Sequence, residues 1–228
     1  MKNKIALYDR IASQYVLSQK RFYRGRQDEA TRTIFSLAKN LKGKKLLDVG
    51  CGNGDQLALA CKKGAEVYGI DISPKMIGEA KRSHSFLNNL SVQDLNKLRF
   101  NNNSFDIVIS RFALQHLDNV EKGLGEIWRV LKPGGTAVFL VGHPFMQFLI
   151  KKHKTSYFTK NIVSVPLYGN KVTVSEPAHT MSEYLTPWLF SHFKIVHFEE
   201  GPRHAKSEVK SLDRFPLYFV LELRKNRA

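Results

Sequence analysis

The stretch LLDVGCGNGD, Leu46 to Asp55, constrains this chain more than any other. A short apolar run holding one acid, Asp48, ends in glycines at every second position: Gly50, Gly52 and Gly54. Glycine permits positive φ and lets a ligand approach bare backbone. A strand that ends this way presents main chain to a ligand.

The surrounding pattern supplies the context. Short, nearly continuous apolar runs at 45–49, 66–71, 90–94, 105–110 and 136–142 read as strands covered on both faces. Amphipathic stretches at 55–63, 74–84 and 118–131 read as helices. The second of these starts at Ser73 as N-cap with Pro74 at the first helical position. The third stops at Pro133-Gly134-Gly135. A helix over 181–192 and strands at 194–199 and 216–223 continue the series. Such alternation predicts an α/β fold, a three-layer, doubly wound, Rossmann-like sheet of seven strands, mostly parallel. The whole of 1–228 reads as a single domain. Residues 1–40 read as helical, with a second helix near 28–40. Residues 143–178 interrupt the rhythm with aromatics, prolines and a hairpin signal at Gly169-Asn170, and read as an insertion.

Composition narrows the setting. No run of ~18 apolar residues exists to cross a membrane, and the N-terminus lacks the apolar region of a signal peptide. Two cysteines, Cys51 and Cys61, and the lack of a Cys/His cluster with zinc spacing predict a reduced, cytoplasmic protein without a metal site. The net charge of +16 permits nucleic acid, anionic membrane or acidic small molecules as partners. The basic residues are dispersed, however, and "KKHK" at 151–154 is short.

Three ligand classes compete for the glycine elbow. A phosphate-binding loop needs Gly-Lys-Ser/Thr, whereas Asp55-Gln56 follows Gly54. A dinucleotide fingerprint needs a third glycine where Asp55 stands. S-adenosylmethionine (SAM) carries no phosphate but has an ammonium, a carboxylate and a sulfonium. Asp48 can pair with its ammonium directly or through water. Asp71, at the end of the second strand, can accept from both ribose hydroxyls. Asp94, at the end of the third, can accept from the adenine amino group, with Leu95 beside the ring. Each acid alone could be a helix cap; three at successive strand ends are stronger evidence.

Taken together, "LLDVGCGNGD … VYGIDIS … VQDL … FDIVISRFALQHLDN … EIWRVLKPGGTAVFL" resembles the class I SAM-dependent methyltransferases, in particular the small-molecule, quinone-biosynthesis type. The resemblance is specific over about residues 45–142. It implies that Asp48, Gly50, Gly52 and Gly54 line the methionine end of the cofactor, that Asp71 and Ile72 hold ribose and adenine, and that Asp94 and Leu95 hold adenine. It implies backbone contacts from Arg111 and Phe112, and closure from above by Tyr8 and Tyr15 of an N-terminal helical lid. "FPLYFVLELRK" resembles the antiparallel last strand. "SHFKI" departs from the family, which has a glycine before the sixth strand. Cys51 and Asn53 read as loop fillers.

Methyl transfer is an in-line displacement with a good leaving group, so position and desolvation dominate. A base is needed only when the acceptor must lose a proton. His116, just after the fourth strand, is the leading candidate; a passive capping role is the alternative. His143, after the fifth strand, could equally be a turn residue. His179 in "HTMSEY", with Tyr184 nearby, could equally be a polar helix-terminal residue. Arg111 can meet a substrate anion or an ion-pair partner. The insertion at 143–178 would cover an apolar or flat acceptor. The expected activity is therefore methyl transfer from SAM, leaving S-adenosylhomocysteine, to a small molecule. RNA (tRNA) or protein methylation, and a non-catalytic SAM-binding partner, remain alternatives. The oligomeric expectation is monomer or homodimer.

Overall fold

The computed structural model describes residues 2–23, 29–150, 156–201 and 215–227. Helices α1 (Lys2–Tyr23) and α2 (Glu29–Leu37) precede an alternating series: β1 (Lys45–Val49), α3 (Asp55–Lys62), β2 (Glu66–Asp71), α4 (Pro74–Ser83), β3 (Leu90–Val92), β4 (Phe105–Arg111), α5 (Val120–Val130) and β5 (Leu131–Gly142). Then come α6 (Pro144–Ile150), a hairpin of β6 (Ile162–Leu167) and β7 (Val172–Pro177), α7 (Pro187–His192), β8 (Phe193–Gly201) and β9 (Tyr218–Lys225).

The main sheet has seven strands in the order β3-β2-β1-β4-β5-β9-β8. β1 through β5 pair in parallel, while β9 runs antiparallel to both β5 and β8. Side-chain parity explains the nearly continuous apolar runs. In β5, Ala137, Phe139 and Val141 face one buried cluster with α5 and α7; Val138 and Leu140 face the other with α2 and α3. In β9, Phe219, Leu221 and Leu223 take the first face, Tyr218 and Val220 the second. Burial of each such side chain contributes about 1.5–3 kcal/mol relative to exposure.

Local signals decide where elements begin. Ser73 caps α4 by accepting from Met76 N, with Pro74 following. Asn119 caps α5 by accepting from Lys122 N, so that helix starts later than the apolar pattern alone suggests. Two expectations need correction. The helix expected over 181–192 is a 3-10 turn at Met181–Glu183 followed by α7 from Pro187. Proline lacks the N–H that a continuing helix needs and biases Thr186 to an extended backbone; Thr186 instead caps α7 by accepting from Leu189 N. The fifth strand starts at Leu131 rather than 136, because Phe105 pairs with Leu131 before a register shift to the pair Ile107–Thr136. Pro133-Gly134-Gly135 lies in that irregularity.

The segment after β5 forms a separate two-stranded sheet, β6–β7, whose turn holds Tyr168, Gly169 and Asn170 at positive φ. This matches the hairpin signal. Residues 151–155, which include the "KKHK" run, lie outside the described residues. Helix α1 packs on α4 and β7, so both α1 and the hairpin sit above the carboxyl ends of the parallel strands.

Candidate active site

At the carboxyl end of β1 the chain turns through Gly50 (φ 76°) and Gly52 (φ 54°). The N–H groups of Gly50 and Cys51 both donate to Ile70 O, at 2.9 and 2.8 Å. A Cβ at Gly50 would lie 2.3 Å from the Cβ of Ala113, so only glycine fits between β1 and the turn after β4. Gly52 N donates to Asp71 Oδ2 (3.0 Å), and Ser73 N to Asp71 Oδ1 (2.9 Å). Asp71 thus holds the elbow while facing the cavity above it. Burial raises its pKa to about 6 against the pull of those N–H donors.

The cavity occupies about 470 Å³ and runs from this elbow to the tips of β3 and β4. Gly50, Gly52, Asp71 and Ile72 line its floor. Asp94 and Leu95 line the end beyond β3, where Asp94 Oδ1 accepts from Asn96 N at 2.9 Å. Arg111 and Phe112 line the β4 side, Phe112 in the left-handed region at φ 54°. Tyr8, Tyr15 and Gln19 of α1 form part of the roof. Asn53 is no filler: its Nδ2 donates to Gln19 Oε1 (3.1 Å) and Asp55 Oδ2 (2.8 Å), tying roof to elbow. Cys51 is buried, with its thiol pushed well up by desolvation, which makes it inert.

Asp48 and Gly54 do not line the cavity. A Cβ at Gly54 would press on Leu87 (3.0 Å) and Ala80 (3.2 Å), so its bareness serves the packing of the elbow on α4. Asp48 is 1% exposed, and its Oδ1 has no hydrogen-bond partner among the described residues. Desolvation, then the nearby Asp71, raises its pKa to about 8, opposed by Arg111.

The three histidines separate. His116, on the 3-10 turn after β4, lines the cavity. Its Nε2 lies 2.8 Å from the Tyr8 hydroxyl and 3.8 Å from Glu176 Oε2. His143 does not line it: Nδ1 accepts from Phe145 N (3.1 Å) and Nε2 sits 2.7 Å from Glu200, so the ring fastens α6 to β8. His179 does not line it either. It is buried with its ring edge against Tyr184 at a centroid distance of 5.5 Å, and its N–H donates to Gln147 Oε1 at 3.0 Å. Burial lowers its pKa, in keeping with a packing role. Tyr184 points into the core against Phe219.

Sequence reasoning missed Glu176. It is 4% exposed, and burial raises its pKa to about 7. The signal was in the alternation of β7: Val172, Val174 and Glu176 share the buried face, so a carboxylate stands where the pattern calls for an apolar side chain.

The chemistry of this cavity fits SAM. The buried carboxylate Asp48 has an oxygen without a partner under the elbow, where a cation would satisfy it. Gly50 and Gly52 present bare backbone to the cavity, and Asp71 and Asp94 offer carboxylates along it. No helix is long and apolar enough to cross a membrane, and no group of three metal-ligating side chains occurs, both among the described residues.

Sheet order, elbow and acidic strand tips define a nucleoside-binding α/β protein of the methyltransferase fold. Comparison with known proteins agrees. The methyltransferase domain family matches residues 47–139. Demethylmenaquinone methyltransferase of Geobacillus stearothermophilus is 40% identical over 181 residues, 76% of this chain and 73% of that protein. The ubiquinone/menaquinone biosynthesis C-methyltransferase of Desulfotalea psychrophila is 32% identical over 176 residues, 76% of this chain and 70% of that protein. Among solved structures, a SAM-dependent methyltransferase of Listeria monocytogenes superposes with a TM-score of 0.72 at 21% identity, over 86% of this chain and 96% of that one. The [4+2]-cyclase SpnF shares the fold, with a TM-score of 0.68 at 17% identity, over 98% of this chain and 96% of that one, so the fold alone does not fix the reaction. The chain belongs to the class I SAM-dependent methyltransferases; it is an enzyme, and its cofactor is SAM.

Proposed function

We propose that this enzyme methylates a small-molecule acceptor carrying an ionisable nucleophile. The observation that carries this reading is that α1 roofs a cavity of about 470 Å³ whose lining holds both the acidic strand tips and His116. A space of that size suits a compact ligand rather than a polymer. The tyrosines and Phe112 along it favour a flat acceptor. The relatives named as demethylmenaquinone methyltransferases support a reduced quinone as the first candidate.

When bound, SAM supplies an electrophilic methyl group on a positively charged sulfur. In this reading Asp48 offsets the ammonium charge, and the bare backbone of Gly50 and Gly52 packs against the methionine portion. Asp71 accepts from the ribose hydroxyls with the lone pairs that Gly52 and Ser73 leave free. Asp94 and Leu95 hold the adenine, with Ile72 beside it. Arg111 and Phe112 close the side next to β4. Tyr8 and Tyr15 exclude water from above. His116 removes the acceptor proton, with Tyr8 between them.

Incubating the protein with methyl-labelled SAM and cell extract, with and without nuclease, tests this. The expected label appears in a low-molecular-weight fraction and survives nuclease. Label that vanishes with nuclease would favour the RNA reading that the +16 charge permits.

A further inference from the structure

We propose that Glu176 is a positioning residue for proton removal: from the buried face of the hairpin it holds the Tyr8–His116 pair over the cavity and stabilises the imidazolium that forms. This rests on the reading of His116 as the base.

The geometry brings three elements that are distant in sequence to one point. Tyr8 comes from α1, His116 from the turn after β4, and Glu176 from β7. The Tyr8 hydroxyl is 2.8 Å from His116 Nε2, and Glu176 Oε2 is 3.8 Å from the same nitrogen. Glu176 is itself held. Gln147 of α6 donates to Oε1 at 2.7 Å, and Gln115, beside His116, also bonds its side chain. Gln147 in turn donates to Pro177 O at 3.2 Å and accepts from His179 N at 3.0 Å. A carboxylate buried this deeply is costly unless it is paired; Gln147 and Gln115 bond it, and His116 can become a cation beside it.

The groups facing Glu176 are Gln147 from α6, Gln115 and His116 from the turn after β4, Tyr8 from α1, and Tyr184. Tyr8 also feels Tyr15 and Asp71, and burial keeps its phenol protonated. With His116 as the Nδ1–H tautomer, the Tyr8 hydroxyl donates to Nε2. The step balances as follows. The acceptor's proton passes to Tyr8 Oη as the Tyr8 hydroxyl proton passes to His116 Nε2. The electron pair of the broken bond stays on the acceptor, which becomes the nucleophile. His116 ends as an imidazolium opposite the Glu176 carboxylate, which lowers the energy of that charge.

Glu176→Gln keeps the shape and can still accept from Gln147. Histidine-labelled protein is titrated by NMR in the presence of S-adenosylhomocysteine, with His116 assigned from its loss in His116→Gln. Glu176→Gln should lower the His116 pKa by about one unit. Label transfer from SAM into the low-molecular-weight fraction of nuclease-treated extract should slow by about 10–100-fold, with SAM affinity by calorimetry within about twofold. Glu176→Asp should recover part of the rate and part of the titration shift, which a purely structural role would not give. An unchanged His116 titration in a folded Glu176→Gln protein would overturn the proposal. So would wild-type transfer by Glu176→Gln beside an inactive His116→Gln, and that result would leave the base reading standing. Full transfer by His116→Gln would remove the base reading and this proposal together.

Discussion

Gly50 and Ala113 meet where β1 turns toward the chain that leaves β4. The 2.3 Å approach that any Cβ at Gly50 would make, together with φ 76°, leaves no room for adjustment. We predict that Gly50→Ala abolishes SAM binding by calorimetry, and that adding Ala113→Gly relieves the contact but not the φ strain, so recovery is partial. Asp71 carries two loads, fixing the elbow through Gly52 and facing the cavity. Asp71→Asn should weaken SAM by about 1.5–3 kcal/mol through loss of charge-assisted hydrogen bonds; unchanged affinity would contradict the ribose assignment. Asp48 gives a pH signature. Its pKa of about 8 belongs to the ligand-free protein, and a cation beside it favours the ionised form. SAM affinity should therefore rise with pH between 6.5 and 8, by at most about tenfold per unit, and Asp48→Asn should flatten that rise.

At the scale of elements, α1 roofs the cavity, and we propose that it opens and closes the site. It is fastened at several points: Ser73 Oγ donates to Asp9 (2.5 Å), Ser13 Oγ to Glu79 (2.9 Å) and Gln14 to Lys171 O (2.8 Å). Ser73 also caps α4. Ser73→Ala should thus cost about 1 kcal/mol of stability for the lost cap and loosen α1 as well. Hydrogen exchange is the measurement: amides in 8–23 should exchange faster in Ser73→Ala, and slower in the native chain once S-adenosylhomocysteine is added. Equal exchange with and without that ligand would argue against α1 as a lid.

At the scale of the whole molecule, desolvation raises the pKa values of three carboxyls among the described residues, Asp48 beneath the elbow, Asp71 at the cavity and Glu176 behind His116, to about 8, 6 and 7. Each folded value lies above the unfolded one. Each contribution is therefore complete at acid pH and lost as pH rises through the folded value. Buried His179, with its pKa lowered, acts in the opposite sense, but only below its unfolded value of about 6.5. Asp106, Glu126 and Glu183, all lowered, titrate in the acid range. The ligand-free protein should lose thermal stability from pH 6.5 to 8.5, less so in Asp48→Asn. A melting temperature that is flat or rising over that range would contradict the buried acids. The groups that lower the stability of the ligand-free protein are the same ones that the proposed function assigns to the cofactor and to the base.

The seven strands, the elbow and the acidic strand tips were legible in the sequence because each is written locally, whereas the strand order is set by pairing between segments far apart in the chain. A nearly continuous apolar run marks a strand covered on two faces, Ser73-Pro74 marks a helix start, and glycines at every second position mark a ligand-facing turn. Asp71 and Asp94 follow from their places at strand ends. What stayed hidden depends on contacts between distant segments. Three histidines offered themselves, His116 foremost; only packing turned His116 into the cavity, His143 toward Glu200 and His179 toward Tyr184. Asp48 reads as a ligand contact but lies beneath the elbow, its oxygen partnerless. Glu176 broke the alternation of its strand, yet its meaning came only when the hairpin folded over the Tyr8–His116 pair. Periodicity tells a side chain which face it occupies; close packing of elements far apart in the chain decides which partner waits there.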